Sequence, residues 1–409
     1  MAVIRPFRAL RPVPDAAPRV ASVPYDVVSS DEARELADGE PLSFLRVSRA
    51  EIELPVGTDP HADAVYARAT ENFRTIRNAA PFVREAEASL YCYRLQANGR
   101  DQTGLTACCS LDEYDRGLIK KHEHTRRNKE DDRTRHMVEL GAQTGLVFLT
   151  YRSREEIDVL MDRVCTGTPL FDFEAPDNVK HTVWRVSSPD VDLLVKAFKA
   201  VPALYIADGH HRAAGAARVR AEFARRDRLT VPSEADTVIA VAFPSTQVRI
   251  LPYNRVVKDL NGRSPREFLD QIAATFPVCA GGPAPAQAGE VSIYLDGTWH
   301  NVTLADFSVD SSDRAAALDV ARLDQGILAP LLGIEDVRRD PRIDFIGGIR
   351  GAAVLQAQVD RGEAAVAFSM FPVTVDDLMR IADEGGIMPP KSTWFEPKLR
   401  DGLLIHLIA

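Results

Sequence analysis

No stretch of this chain approaches the roughly eighteen uninterrupted apolar residues that a membrane helix needs, and "MAVIRPFRALRPVP" contains no apolar core of a secretory signal. The expectation is a protein that is neither exported nor inserted in a membrane. Cysteine is sparse: Cys92, Cys108, Cys109, Cys165 and Cys279 lack metal-ligand spacing, and adjacent Cys108 and Cys109 are awkwardly placed for a disulfide. A reducing cytoplasm fits that usage. Positive charge is also in deficit, with 50 Lys+Arg against 59 Asp+Glu and a formal charge of -9, which argues against a general nucleic-acid binder. Repeats and low-complexity tracts are absent.

What is present is a globular composition, 45% hydrophobic and 27% charged over 409 residues, more than one ordinary core supports. The local patterns are mixed. Asn98-Gly99 and Asp296-Gly297 each divide two apolar-rich runs and predict hairpins. Ile157, Leu160, Met161 and Val164 form a helical stripe, further helices are expected near 62–79 and 190–201, and Ser264-Pro265-Arg266-Glu267 reads as a capping box. Ser30 and Asp31 are candidate caps of an earlier helix. The segment "KKHEHTRRNKEDDRTR" is too polar to bury an amphipathic face and is expected at the surface or along a wet cleft. The fold class is α+β, a mixed α/β protein.

The chemistry concentrates in "ALYIADGHHRAAGAA", a strand running into Asp208-Gly209-His210-His211-Arg212 and then an alanine-rich helix. A helix opening there presents unpaired backbone N–H groups and a positive dipole end, glycine lets a ligand oxygen approach, and His210, His211 and Arg212 add donors. A phosphate is the natural guest, with an aspartate N-cap as the plain structural alternative. Lys120, Lys121, His122, Glu123, His124 and Thr125 supply dense titratable groups for phosphate neutralisation or proton transfer. Asn254 and Arg255 follow a strand, and the proline-stiffened loop "MPPKSTWFEPK" offers Lys391, Ser392 and Thr393. No Walker loop, conventional kinase signature or nucleophile elbow accompanies them.

Taken together, "VPYDVVSSDEA", "KKHEHT", "IADGHHRAAGAA", "LPYNRVVKDLNG", "RIDFIGGIRG" and "MPPKSTWFEPKLRDGL" resemble the family catalogued as domain of unknown function 1015 across nearly the whole chain. The Asp-Gly-His-His-Arg turn is similar, more distantly, to that of the ParB and sulfiredoxin superfamily, which includes free serine kinases. That resemblance implies a ParB/sulfiredoxin-like catalytic core over 1–245, completed by an α/β region over 246–409 through its 388–398 loop. It implies a phosphotransferase using ATP or ADP with Mg2+ on a small hydroxyl substrate such as free serine, or acting in the reverse direction on phosphoserine. Asp26, Asp208, His210 and Glu123 would be catalytic; Gly209, His211, Arg212, Lys120 and His122 would hold phosphate. Asn254, Arg255, Lys391, Ser392 and Thr393 would hold the substrate. The kinases usually carry glutamate where this chain has the shorter Asp26. Two alternatives remain open: a nucleotide-independent phosphoserine phosphatase, and a nucleotide-gated switch. The metal ligands are not defined, DNA is an unfavoured partner, and a homodimer is left open.

Overall fold

The computed structural model describes residues 2–79, 81–225, 233–304 and 313–409. Two compact units divide it: Met1–Val248 with Pro397–Ala409, and Arg249–Glu396. A single boundary near 245 had been expected, with everything downstream in one region. The last residues differ from that expectation, because Leu403, Leu404 and Ile405 are fully buried and Ile405 bridges to Leu10 in the first unit.

The first unit is built on a mixed sheet of β1 (Ile4–Arg5), β2 (Tyr91–Ala97), β3 (Arg100–Ser110), β4 (Ile119–Lys120), β5 (Val147–Tyr151), β6 (Phe171–Glu174), β7 (Lys180–Arg185), β8 (Leu204–Asp208) and β9 (Thr237–Pro244). The order is β4-β8-β5-β9-β3-β2-β7-β6, with β1 also paired to β3. Asn98 and Gly99 join β2 to β3 with positive φ at both, as the hairpin expectation required. Parallel pairs occur only where an intervening helix allows a crossover, as in β9 with β5. Strands β5 and β9 are buried along their whole length, which explains their continuous apolar character.

Around this sheet lie α1 (Ser30–Ala37), α2 (Asp63–Ala79), α3 (Arg127–Leu140), α4 (Glu155–Val164), α5 (Ser188–Phe198) and α6 (His210–Arg225). The cap of α1 is Ser29, one residue earlier than expected, because its hydroxyl and Glu32 complete a reciprocal capping box. Helix α3 follows the second of the two expectations, a segment lining a cleft, since Lys129, Asp132 and Arg133 line a cavity with Tyr25 and Tyr66. It buries Asp132, Arg133, Thr134, His136 and Met137. The charges are tolerated because Asp132 pairs with Arg133 at 2.7 Å and accepts a bond from the Tyr66 hydroxyl at 2.8 Å, while the Arg133 guanidinium lies 3.8 Å from the centre of the Tyr25 ring.

The second unit carries an antiparallel sheet of β10 (Tyr253–Val257), β11 (Val278–Ala280), β12 (Glu290–Leu295), β13 (Thr298–Thr303), β14 (Ile343–Gly347) and β15 (Val366–Met370), ordered β11-β13-β12-β15-β10-β14. Asp296 and Gly297 form its tight turn, and Ser264 caps α7 (Pro265–Ala273) as expected. The architecture is the mixed α/β class read from the sequence. Among the described residues, no helix is long and apolar enough to cross a membrane.

Candidate functional site

Strand β8 is buried through Ala207 and then delivers Asp208 to the turn. Its register against β5 shifts between Ile206 and Asp208, a bulge that re-aims the strand end. Gly209 follows with φ of +97°, a conformation that disfavours any side chain. Helix α6 starts at His210, and Gly215 within it has a packing role: a Cβ there would come within 3.2 Å of Arg133 Cβ and 3.4 Å of the Thr134 backbone nitrogen. Small residues let α6 lie close against α3.

Arg212 is the centre of the arrangement. It is only 4% exposed, donates to the Leu146 carbonyl, and places Nη2 3.6 Å from Asp208 Oδ1 and 3.9 Å from Asp26 Oδ2. Burial opposes its charge, but Asp26, Asp208 and Asp401 together hold its pKa above the ordinary value. Burial likewise opposes ionisation of Asp208, and Lys398, whose Nζ lies 3.2 Å from Asp208 Oδ2, joins Arg212 in keeping that carboxyl well below the usual range. Asp401 is different: burial, opposed by Arg212, pushes it up to about 7.

The chain reaches this point from distant segments. Backbone bonds pair Ser22 with Asp401 in both directions, bringing the C-terminal stretch beside the loop that carries Tyr25 and Asp26. Gly145 lets Arg212 and Asp401 close in, since a Cβ there would stand 3.2 Å from both Arg212 Cδ and Asp401 Oδ1. Asp401 was not among the expected site residues, and Lys398 was expected only as one of the charged residues of the 388–398 loop. Their only sequence signal was membership of the "MPPKSTWFEPKLRDGL" motif.

The "KKHEHT" segment reaches the turn because β4 runs parallel to β8, with Lys120 opposite Tyr205. His122 and His210 meet edge to face with ring centres 4.5 Å apart, and the His122 backbone N–H donates to His210 Nε2 at 3.4 Å. Glu123 Oε2 stands 4.0 Å from His210 Nδ1. Burial lowers the pKa of both imidazoles, that of His122 to about 4. His211 takes a structural bond, accepting from the Arg126 N–H at 3.0 Å at the start of α3. Thus Asp26, Asp208, Gly209, His210, His211, Arg212, Lys120, His122 and Glu123 all belong to the first unit.

The expected substrate residues belong to the second unit. Asn254 Oδ1 accepts from the Met370 N–H at 3.0 Å, Ser392 donates to the Pro389 carbonyl at 2.6 Å, and Arg255 is buried and donates to the Tyr253 and Lys391 carbonyls. Lys391 Nζ reaches the Tyr253 hydroxyl at 3.2 Å, and Thr393 is half-buried beside Ser392.

One prediction follows from the turn. Gly209→Ala would force a side chain into positive φ with its Cβ 3.0 Å from Arg212 Cζ and Nε. It should cost about 1–3 kcal/mol and displace the guanidinium. Urea unfolding checks the cost, and an unchanged midpoint would contradict it.

Fold and site together define a mixed α/β protein whose strand-turn-helix junction holds a buried arginine among carboxylates, with a lysine and paired histidines beside it. A family model described as "Protein of unknown function (DUF1015)" matches residues 4–325, and the chain belongs to that family. No curated protein matches it. Among solved structures it is similar to SbnI with C-terminal truncation from Staphylococcus aureus, at 11% identity and TM-score 0.39, over 72% of this chain and 85% of that one. A conserved hypothetical protein from Pyrococcus furiosus aligns at 14% identity and TM-score 0.36, covering 74% and 95% of the two chains. A free serine kinase in complex with AMP aligns at 14% identity and TM-score 0.34, covering 72% and 91%. Likenesses of this grade do not define an activity.

Proposed function

We propose that the Asp208–Arg212 turn of the first unit transfers a phosphoryl group from ATP or ADP to a small hydroxyl substrate of the free-serine type, on a ParB/sulfiredoxin-like core. The observation that carries this reading is the approach of Asp26 to Arg212, 3.9 Å apart although 186 positions separate them in the chain. A candidate proton acceptor and a candidate phosphate anchor therefore face one point.

In this mechanism the open N–H groups at the start of α6 and the Arg212 guanidinium bind the oxygens of the transferring group and stabilise the charge that develops there. The substrate hydroxyl oxygen attacks the terminal phosphorus, the bond to the nucleotide's bridging oxygen breaks, and the hydroxyl proton passes to the Asp26 carboxylate. Asp208 supports the site by holding Arg212 and Lys398 in place. His210 and Glu123 flank the same turn.

Magnesium would be held mainly by the nucleotide's phosphates with one or two carboxylates, and the turn offers Asp26 and Asp208 for that. Among the described residues, the cluster with metal-holding geometry is His122, Glu123 and His210, which offers two nitrogens and one carboxylate, whereas magnesium prefers oxygen ligands. No step of the mechanism is assigned to it.

The direct test is Asp26→Asn, which keeps size and loses the base. Transfer should fall by roughly 10²–10⁴-fold while nucleotide affinity is retained. A variant that transfers at the wild-type rate would remove Asp26 from the mechanism.

A further inference from the structure

Histidine nitrogens that sit in a protein interior normally have a partner, because an unsatisfied buried polar atom is costly. His122 departs from that rule. It is 3% exposed, and its Nδ1 is buried without any hydrogen-bond partner. A buried imidazole nitrogen with no hydrogen-bond partner has a lone pair available for a metal ion, which would satisfy it.

The bare nitrogen has suitable company. One donor atom from each of His122, Glu123 and His210 lies within 4.8 Å of the other two. His210 Nδ1 is 4.0 Å from Glu123 Oε2, and a small inward movement of the half-exposed Glu123 side chain would bring the two to the roughly 3.3–3.6 Å that separates two ligands about 2.0–2.2 Å from one tetrahedral ion. The positions are set by the fold: β4 beside β8 brings His122 and Glu123 to the turn, and His210 is the first residue of α6. Glu123 is about half-exposed and gives the site access to solvent.

We infer that His122, Glu123 and His210 form a binding site for a divalent first-row transition ion, of the zinc, manganese, iron or cobalt class, at the mouth of the Asp208–Arg212 turn. Two imidazoles and one carboxylate match the ligand sets such ions take while leaving positions open, and they select against magnesium and calcium. The open positions would accept water or an oxygen of a bound ligand. This inference stands on the donor set and does not require that the turn transfer phosphate.

The experiment uses Co2+ alone, added to the full chain stripped with chelator, without nucleotide or substrate. Saturating visible absorption from a bound ion and paramagnetic shifts of the His122 and His210 imidazole protons are expected, unaffected by excess Mg2+. Glu123→Ala, at a solvent-accessible position that should not disturb folding, is expected to weaken Co2+ by about tenfold or more. Absence of Co2+ binding overturns the site. So does binding that leaves both imidazoles unshifted or is equally tight in Glu123→Ala, since the ion would then sit elsewhere. Because nucleotide is absent, a failure here is separate from any failure of the phosphotransferase reading.

Discussion

Arg212→Ala is expected to abolish phosphoryl transfer, with a loss on the order of 10³-fold or more, the scale on which arginine stabilises a transferring phosphoryl group. The side chain is buried among Asp26, Asp208 and Asp401, so its removal also leaves these carboxylates without their common counter-charge. Breaking a buried pair in this way costs about 3–5 kcal/mol. Arg212→Lys separates the two effects. A lysine retains positive charge and much of the stability but cannot reproduce the planar fork that serves the Leu146 carbonyl and two carboxylates together. The expected result is a folded Arg212→Lys protein with transfer severely reduced, measured by initial rates beside urea unfolding. A folded variant with undiminished transfer would contradict the role given to Arg212.

The second large effect concerns pH. Asp401 is 4% exposed and its carboxyl is pushed up to about 7 by burial, from an ordinary value of 3.8. Between those values the folded chain keeps a proton that the unfolded chain has released. The stability associated with Asp401 is therefore fully present below the lower value, falls as pH rises through the window, and is gone above about 7. The full span is on the order of 4 kcal/mol. Histidines oppose it: burial holds His122 and His136 at about 4 and His181 at about 3, below their ordinary 6.5, so their contribution is present above 6.5 and lost as pH falls through the lower values. Comparing wild type with Asp401→Asn cancels the histidines. Urea midpoints between about pH 5 and pH 8 should show wild type losing ground to Asp401→Asn as pH rises to about 7 and levelling off above it, and parallel profiles throughout would contradict the raised carboxyl.

Much of the local structure was legible because its causes are local. Asn98-Gly99 and Asp296-Gly297 adopt positive φ whatever surrounds them, and the Ser264 capping box is complete within four residues. The turn at Gly209 was legible for the same reason. The burial of Asp132 and Arg133 was not, since the partners that make it tolerable, Tyr66 and Tyr25, come from other segments and leave no periodicity near α3. Asp401 was missed as a site residue and the partner of Lys398 was not foreseen, because pairing across 190 positions, as in Lys398 with Asp208, has no local signature. The approach of Asp26 to Arg212 was anticipated only through resemblance. The paired histidines were visible as residue types, whereas the bare Nδ1 of His122 depends on how β4 and β8 lie together.

The central claim is that the Asp208–Arg212 turn and Asp26 pass a phosphoryl group between a nucleotide and a small hydroxyl compound. Phosphorus NMR of the purified protein with serine and either ATP or ADP, and of phosphoserine with and without AMP or ADP, all with divalent metal, tests it most directly. The account predicts a growing phosphoserine signal matched by loss of the nucleotide's terminal phosphate, or nucleotide-dependent loss of phosphoserine, with neither seen in Asp26→Asn. Release of inorganic phosphate from phosphoserine without nucleotide, or spectra that do not change under any of these conditions, would contradict it.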